Sequence, residues 1–313
     1  TVVLVGPITI LITELLGINP IPILMAQALL SDTADVGTSV GDPASVLVAS
    51  ASGYTFTDFL THSMPVVAVA ALVTLLMLRL LFSKELSEGP AKPELVMTLD
   101  ADEALQDRKT ARRVLVVLAI TIVLFILQRS LHISTELIAL SAAAVALVWV
   151  RPNIREVLQR VDWPVLLFFV GLFVMVGGLE AAGVFEPIAE ALAPLGHTNP
   201  RFLGVVIIWV VAALSALVDN VPVTIAMISL LGGLAAAGVN VSALWWAVVF
   251  GAGFGGNATK IGSGANILIV SLSEQTSQPI SARLWTRRGL PVAIATCIVG
   301  SILFIIFYPW LVQ

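Results

Sequence analysis

The sequence has little cysteine, histidine and charge, and each shortage excludes a class of protein. Among 313 residues there are 1 cysteine and 3 histidines, and 12% of residues are charged. The single cysteine, Cys297, lies inside an apolar run, so there is no basis for a disulfide framework, a zinc cluster or a thiol site for a soft metalloid. The histidines are scattered at the edges of apolar segments. The sequence therefore predicts no metal centre and no cofactor.

Long apolar segments dominate what is present. Hydrophobic residues make up 58% of the chain, more than a water-soluble domain of this length could bury in one core. Crossing the ~30 Å apolar slab of a membrane takes about 20 apolar residues per helix. The sequence therefore predicts an all-α polytopic membrane protein. Five stretches are predicted spans: 62–82, 112–130, 133–150, 162–182 and 290–312.

Basic residues predict how the chain is oriented. Thirteen of the 16 Lys and Arg residues lie in or near three connecting segments, 83–111, 151–161 and 276–289. Lys and Arg in short loops favour the cytoplasmic side. These three segments are therefore predicted to be cytoplasmic loops of a protein of the inner (plasma) membrane. Residues 83–111 carry seven acidic residues and are predicted to be a solvated linker between two membrane halves.

An internal repeat appears when the chain is shifted by 221 positions. The segment GIN at 17–19 aligns with GVN at 238–240, and GTSVGDPAS at 37–45 aligns with ATKIGSGAN at 258–266. Secondary transporters are commonly built from inverted repeats, with the substrate site at the repeat interface near the bilayer midplane. We therefore predict two inverted repeats.

Each predicted repeat contains a re-entrant helical hairpin and a broken transmembrane helix. In the second repeat the hairpin is predicted at 201–237, with its tip at Asp219 to Pro222, and the broken helix at 241–275. In the first repeat the broken helix is predicted at 20–52, and the chain is expected to begin inside the corresponding hairpin. The predicted organisation is the remainder of the first repeat at 1–82, the linker at 83–111 and the second repeat at 112–313.

Charged residues interrupt both predicted broken helices and the hairpin tip. An intramembrane charge costs ~2.5–3.5 kcal/mol on the insertion scale, and non-helical backbone at this depth must be buried in protein or line an aqueous cavity. Half-helix N termini there suit an oxyanion, and the preceding C-terminal carbonyls suit a small cation. The sequence therefore predicts a transport site at the breaks. The charged residues are Asp32, Asp35, Asp42, Asp219 and Lys260.

Four segments carry a resemblance to a known family: SDTADVGTSVGDPASVLV, VDWPVLLFFVGLFVMVGGLEAAGVFE, DNVPVTIAM and GGNATKIGSGANILIV. They resemble the signature segments of the ArsB/NhaD permeases of the ion transporter superfamily, especially the branch that includes the melanosomal P protein. The resemblance implies arsenite and antimonite efflux or sodium/proton antiport. Carried over by position, it also implies the following substrate- or ion-binding residues: Thr38, Gly41, Asp42, Asp219, Asn220, Asn257, Thr259, Gly262 and Asn266.

The sequence departs from the family pattern at Lys260, where the family usually has an apolar residue or proline, and at Asp32 and Asp35. We predict that Asp32, Asp35, Asp219 and Lys260 act in proton coupling or as a charge pair, with Lys260 paired to Asp35 or Asp32. A lysine whose charge changes during transport and a lysine that snorkels to an interface remain alternatives. Asp162 is predicted only to cap a helix at the cytoplasmic interface.

The leading functional prediction is a proton-coupled secondary active transporter of a small inorganic solute, with arsenite or antimonite efflux by alternating access as the best guess. Sodium/proton antiport, transport of an organic or inorganic anion, and a passive channel are the alternatives. Residues 37–41 match GxSxG but lack the strand–turn–helix setting of a nucleophile elbow, and no Walker motif is present; we predict no enzyme. The expected partners are membrane lipid, the solute and protons, with a homodimer and a separate ATPase subunit as further candidates and no nucleic acid.

Overall fold

In the computed structural model, all regular structure of the described residues is helical, which confirms the predicted all-α polytopic fold. The structure describes residues 2–87, 108–159, 161–276 and 278–312. One π-helical segment, Phe59–Ser63, joins α4 to α5. The α-helices are α1 Val2–Leu16, α2 Ile21–Asp35, α3 Pro43–Ser52, α4 Phe56–Asp58, α5 Met64–Leu81, α6 Ser83–Ser87, α7 Arg108–Leu131, α8 Thr135–Val150, α9 Ile154–Gln159, α10 Trp163–Ala181, α11 Phe185–Thr198, α12 Pro200–Leu217, α13 Asn220–Ala236, α14 Ser242–Gly256, α15 Gly264–Ser273 and α16 Ala282–Leu311.

Five continuous helical segments in the described residues are long and apolar enough to cross a membrane. The predicted span at 133–150 corresponds to α8, which is apolar but has only 16 residues. The predicted hairpin at 201–237 corresponds to α12 and α13, which are separated only by residues 218 and 219. The five segments are Phe56–Leu81, Arg108–Leu131, Trp163–Ala181, Pro200–Leu217 and Ala282–Leu311.

Two predicted loop boundaries need correction. The predicted loop at 276–289 is wrong from Ala282 onward, because the Ser281 side chain accepts a hydrogen bond from the backbone N–H of Leu284 and caps α16 there. The predicted linker at 83–111 contains α6 and the first turn of α7. Its middle part, residues 88–107, lies outside the described residues.

The helix boundaries of the two broken helices coincide at the 221-residue shift. The helix before each break has 15 residues, at 21–35 and 242–256, and the helix after it has 10, at 43–52 and 264–273. Gly17 and Gly238, which precede these segments at equivalent positions, both have positive φ angles, 66° and 82°. These matches support the repeat. The inverted orientation of its two copies stays a prediction.

The core forms around α14, in which every residue from Ala243 to Gly256 is buried. Small residues allow this close packing: a Cβ atom at Gly255 would collide with the backbone of Ala212 in α12. Helices α2, α3, α13 and α16 pack on the other sides of α14. Helices α7, α8 and α10 bury only one or two residues each and present mostly apolar surface. The broken helices therefore lie in the best-packed part of the molecule.

Candidate transport site

The first break spans residues 36–42, between α2 and α3. Gly41 is required by close backbone approach, because a Cβ atom there would collide with the carbonyl oxygen of Asp35. Asp42 then caps α3: its Oδ1 accepts a hydrogen bond from the backbone N–H of Ser45 at 2.7 Å. A carboxylate at this position also interacts favourably with the positive end of the helix dipole. The break therefore holds one carboxylate at a helix N terminus.

The second break spans residues 257–263, between α14 and α15. Ser263 caps α15 by accepting a hydrogen bond from the backbone N–H of Asn266 at 3.2 Å. The Asn266 side-chain amide donates to the carbonyl oxygens of Gly256 at 2.9 Å and Thr259 at 3.1 Å. Carbonyls at the end of α14, which have no partner within the helix, are thus partly satisfied by the next half-helix. Side chains of the break and of α15 thus satisfy backbone groups within the same break.

The hairpin tip contacts both breaks. Asp219 has a φ of 154° and a ψ of 154°, a region that favours glycine and costs a non-glycine residue ~1–3 kcal/mol. The Asn220 side chain donates to Oδ2 of Asp42 in the first break at 2.7 Å. The Thr259 hydroxyl in the second break donates to the carbonyl oxygen of Ala216, just before the tip, at 2.6 Å. The strained tip is therefore held between the two breaks.

Two further hydrogen bonds join the broken helices directly. The Ser263 hydroxyl donates to Oδ2 of Asp32 at 2.6 Å, and Asp32 is only 5% exposed. The Asn257 side chain donates to the Thr33 hydroxyl at 3.1 Å. A buried carboxylate needs such a partner, because leaving it unsatisfied is costly. These contacts fix the end of α2 against the second break.

An acidic cavity of about 610 Å³ lies where the first break, the hairpin tip and α15 meet. Among its described lining residues there is no Lys, Arg or His. Neighbouring carboxylates disfavour one another's ionisation, and carboxylate oxygens are the preferred ligands of hard cations. The cavity is therefore suited to protons or a small cation. We call it the carboxylate cavity; its acidic residues are Asp32, Asp35, Asp42, Asp162 and Asp219.

The predicted site residues divide into two groups. One group lines the carboxylate cavity: Asp32, Asp35, Gly41, Asp42, Asp219 and Asn220. The other group is absent from its lining: Thr38, Asn257, Thr259, Gly262 and Asn266. In the second group, Asn257, Thr259 and Asn266 hydrogen-bond to neighbouring backbone and side-chain groups instead. Binding of a solute by either group stays a prediction.

The ion pair expected for Lys260 is not formed. No carboxylate of Asp32 or Asp35 lies within ion-pair distance of Lys260, although all three residues are described. Asp32 is bonded instead to Ser263, three positions further along the same break. Lys260 is partly exposed in the turn and is absent from the lining of the carboxylate cavity. Its alignment with Ser39 gave the correct turn but not the direction of the side chain.

Two residues that line the carboxylate cavity, Ser263 and Asp162, were not predicted as binding residues from the sequence. Ser263 aligns with Asp42 at the 221-residue shift, and this equivalence of capping positions could have identified it. Asp162 does cap α10, as predicted, by accepting a hydrogen bond from the backbone N–H of Val165 at 3.3 Å. It also lines the carboxylate cavity, which depends on packing that no local pattern indicates.

Comparison with known families decides the class of protein. The family model described as "Citrate transporter" matches residues 1–251. The chain belongs to the citrate transporter family. It is accordingly a membrane transporter of the ion transporter superfamily. The narrower resemblance to the ArsB/NhaD permeases is not confirmed.

Relatives of this citrate transporter family member extend over nearly its whole length. A "46 kDa membrane protein" of Mycobacterium leprae is 33% identical over 99% of this chain and 72% of its own. An "Uncharacterized transporter" of Mycobacterium tuberculosis is 35% identical with the same coverage. The P protein of Homo sapiens is 27% identical over 96% of this chain and 45% of its own. The last similarity agrees with the predicted relation to the P-protein branch.

Proposed function

We propose that this family member is a proton-coupled secondary active transporter that works by alternating access and exchanges protons for a small hard cation, with sodium as the first candidate. The observation that carries the proposal is the carboxylate cavity, where five aspartates meet without a basic residue in the described lining. A cation that replaces protons on these carboxylates would couple the two movements.

The geometry of the two helix N termini also favours a cation over a free anion. An anion would bind at the N termini of α3 and α13 through backbone N–H groups. In this chain the carboxylates of Asp42 and Asp219 already accept hydrogen bonds there, from Ser45 and Asn220 respectively. A free anionic solute would have to displace these side chains against like charge. Sodium/proton exchange requires no such displacement.

Citrate is the second candidate because the family model carries that description. A tricarboxylate and five aspartates repel one another, so citrate would need protons or bound cations to neutralise part of the charge. The same carboxylate cavity could then accept the neutralised complex. The role of the aspartates in proton coupling is common to both candidates.

Arsenite and antimonite, the solutes favoured by the sequence resemblance, have weaker support. Their neutral hydroxides were expected to contact hydroxyl and amide groups such as Thr38, Thr259 and Asn266. None of these residues lines the carboxylate cavity. The Thr259 hydroxyl and the Asn266 amide are also engaged by backbone carbonyls. Among the hydroxyl and amide side chains expected to contact these solutes, only that of Asn220 belongs to a residue that lines the cavity.

Transport by purified protein in proteoliposomes tests the proposal. Uptake of radioactive sodium, of citrate with and without a divalent cation, and of arsenite would each be measured under an imposed pH gradient. We expect sodium uptake into vesicles that are acidic inside and none when the gradient is collapsed by an ionophore. Sodium flux that is indifferent to the gradient would indicate a channel, and gradient-driven flux of citrate or arsenite alone would overturn the choice of sodium.

A further inference from the structure

A second cavity lies beside the first break and shares no lining residue with the carboxylate cavity. Its volume is about 230 Å³, and we call it the serine cavity. The carboxylate cavity touches the break at Gly41, Asp42 and Pro43, whereas the serine cavity touches it at Ser39. Only one residue, Val40, separates Ser39 from Gly41 along the chain. The first break therefore borders both cavities. The polar residues of the serine cavity are Ser39, Ser50, Tyr54, Gln128, Ser134, Thr135 and Glu136.

The linings of the two cavities reach connecting segments that precede and follow α8 in the chain. Helix α8 has 16 residues and is about 24 Å long at 1.5 Å per residue. The serine cavity reaches Ser134 to Glu136 at the start of α8. The carboxylate cavity reaches Asp162, which follows the end of α8 and precedes α10. If residues 151–161 are cytoplasmic as predicted, the serine cavity extends towards the outer face.

Ser39 stands out within the serine cavity because its hydroxyl has no partner. The side chain is 0% exposed, and its Oγ has no hydrogen bond in the described part of the chain. A buried hydroxyl without a partner is costly, and a site of this kind commonly holds water or a ligand. Ser63, the last residue of the π-helical segment, provides a contrast: it is also 0% exposed, but its hydroxyl donates to the carbonyl oxygen of Val36 in the first break. Ser39 therefore combines an unsatisfied hydroxyl with a position in the lining of the serine cavity.

The chemistry of the serine cavity fits a small hydrated cation. Its polar atoms are hydroxyl and amide oxygens, and Glu136 supplies one carboxylate. There is no Lys or Arg among its described lining residues. Hard cations bind oxygen ligands and retain water in open sites. Glu136 is exposed whereas Ser39 is fully buried, so the carboxylate lies nearer the mouth and the hydroxyl at the deep end.

We propose that the serine cavity is a second binding site for the transported cation, separate from the carboxylate cavity, and that the Ser39 hydroxyl is its innermost contact. The site rests on the proposed cation transport. In alternating access the cation would exchange between the two cavities past residues 39–42 of the first break. Glu136 would attract the cation at the mouth of the serine cavity.

Cysteine accessibility tests the proposal without relying on transport. Cys297 is the only cysteine in the chain, so Cys297→Ser gives a background free of thiols. In that background Ser39→Cys is reacted with membrane-impermeant thiol reagents added to one side at a time. Ser134→Cys and Asn153→Cys mark the two faces, because they lie beyond opposite ends of α8. Ser63→Cys is the matched control, because Ser63 is a fully buried serine that contacts the same break and is absent from the lining of the serine cavity.

We expect Ser39→Cys to react from the face that labels Ser134→Cys, and several-fold faster than Ser63→Cys. A cationic methanethiosulfonate reagent should react faster than an anionic one after correction for their rates with free cysteine, and Glu136→Gln should reduce that preference. Sodium should slow the reaction of Ser39→Cys. Labelling from the Asn153 face, or at the rate of Ser63→Cys, would overturn the proposal.

The labelling experiment tests the serine cavity independently of the proposed transport function. Sodium protection at Ser39→Cys without gradient-driven transport would support the site and reject the coupling. Access from the Ser134 face without protection by sodium would reject the cation site. If Ser39→Cys does not fold, Ser50→Cys at the exposed part of the same cavity should show the same sidedness and reagent preference, and their absence there would equally overturn the proposal.

Discussion

The first and second breaks share helix lengths and capping positions but differ in chemistry. Asp42 caps the helix after the first break, and Ser263 caps the equivalent helix after the second. Asp42 accepts a hydrogen bond from the hairpin tip, whereas Ser263 donates one to Asp32 in the other repeat. The same backbone arrangement therefore places a carboxylate, that of Asp42, at one break and a hydroxyl, that of Ser263, at the other. The Asp42 carboxylate lines the cavity, whereas the Ser263 hydroxyl binds the carboxylate of Asp32.

The breaks also differ in how they are closed. Asn266 satisfies two carbonyl oxygens at the second break, whereas its equivalent at the first, Ser45, bonds to Asp42 through its backbone N–H. The second break is thus internally cross-linked, and the first borders two cavities. In the proposed transport, the ion binds at the first break, and the second break holds the surrounding helices in place.

The largest expected effect comes from Asp42→Asn. Asparagine is as good a helix cap as aspartate, so the protein should fold, but the substituted amide cannot exchange a proton for a cation. We expect gradient-driven transport to be abolished, as measured by sodium uptake in proteoliposomes. Asp58→Asn is the control, because Asp58 is also a buried carboxylate near a helix start but is absent from the cavity lining. Equal loss in both variants would contradict a special role for Asp42.

Ser263→Ala should give the largest loss of stability at the second break. Alanine removes the cap of α15, worth about 0.5–2 kcal/mol, and leaves the buried Asp32 carboxylate without its hydroxyl donor, at a cost of about 1–3 kcal/mol. Thermal unfolding in detergent should therefore shift to a clearly lower temperature. Ser263→Thr keeps the hydroxyl and should retain most of the stability. An unfolding midpoint for Ser263→Ala equal to that of wild type would refute the proposal that the Ser263 hydroxyl stabilises the second break.

Asn266→Ala tests whether the second break depends on internal closure. The substitution leaves the carbonyl oxygens of Gly256 and Thr259 without the amide donor, at an expected cost of about 1–3 kcal/mol. Ser45→Ala at the equivalent position should cost less, because alanine keeps the backbone N–H that bonds to Asp42. Both values can be compared by unfolding in the same detergent. Similar losses of stability in Asn266→Ala and Ser45→Ala would contradict the proposal that only the second break depends on its side-chain amide.

Lys260→Ala is expected to have the smallest effect. Without an ion pair to a described carboxylate, the change should alter stability by no more than about 0.5 kcal/mol. Arg288→Ala is the contrasting variant, because Arg288 forms an ion pair with Glu85 at 2.9 Å and stacks over Phe82. Unfolding midpoints should fall for Arg288→Ala and stay near wild type for Lys260→Ala. A large fall for Lys260→Ala would restore the ion-pair hypothesis.

The sequence predicted those features whose energetic cost depends on the residue itself and its near neighbours in the chain. Intramembrane charge is expensive wherever it lies, and this rule identified Asp32, Asp35, Asp42 and Asp219, all of which line the carboxylate cavity. The interruption of the helices at 20–52 and 241–275 was predicted from glycine and polar residues, which act within a few positions. Residue type and spacing were sufficient for these features.

The sequence did not predict contacts that depend on the direction in which a side chain points. Lys260 was assigned a partner from its aligned position, but a turn can direct a side chain either way. Thr259 and Asn266 were expected to contact solute, whereas their side chains donate hydrogen bonds to the backbone carbonyls of Ala216 and Gly256 respectively. The roles of Asp162 and Ser39 depend on helices distant in sequence that form the cavity walls. Such roles require the packed structure.

The most direct test of the central claim is whether a sodium gradient moves protons. Proteoliposomes that contain the purified protein and a pH-sensitive dye would receive sodium on one side, with choline as the matched control. The account predicts a sodium-dependent pH change inside the vesicles, which is absent with choline and absent in Asp42→Asn. A wild-type response to citrate or arsenite but not to sodium, or a sodium response unchanged in Asp42→Asn, would contradict it.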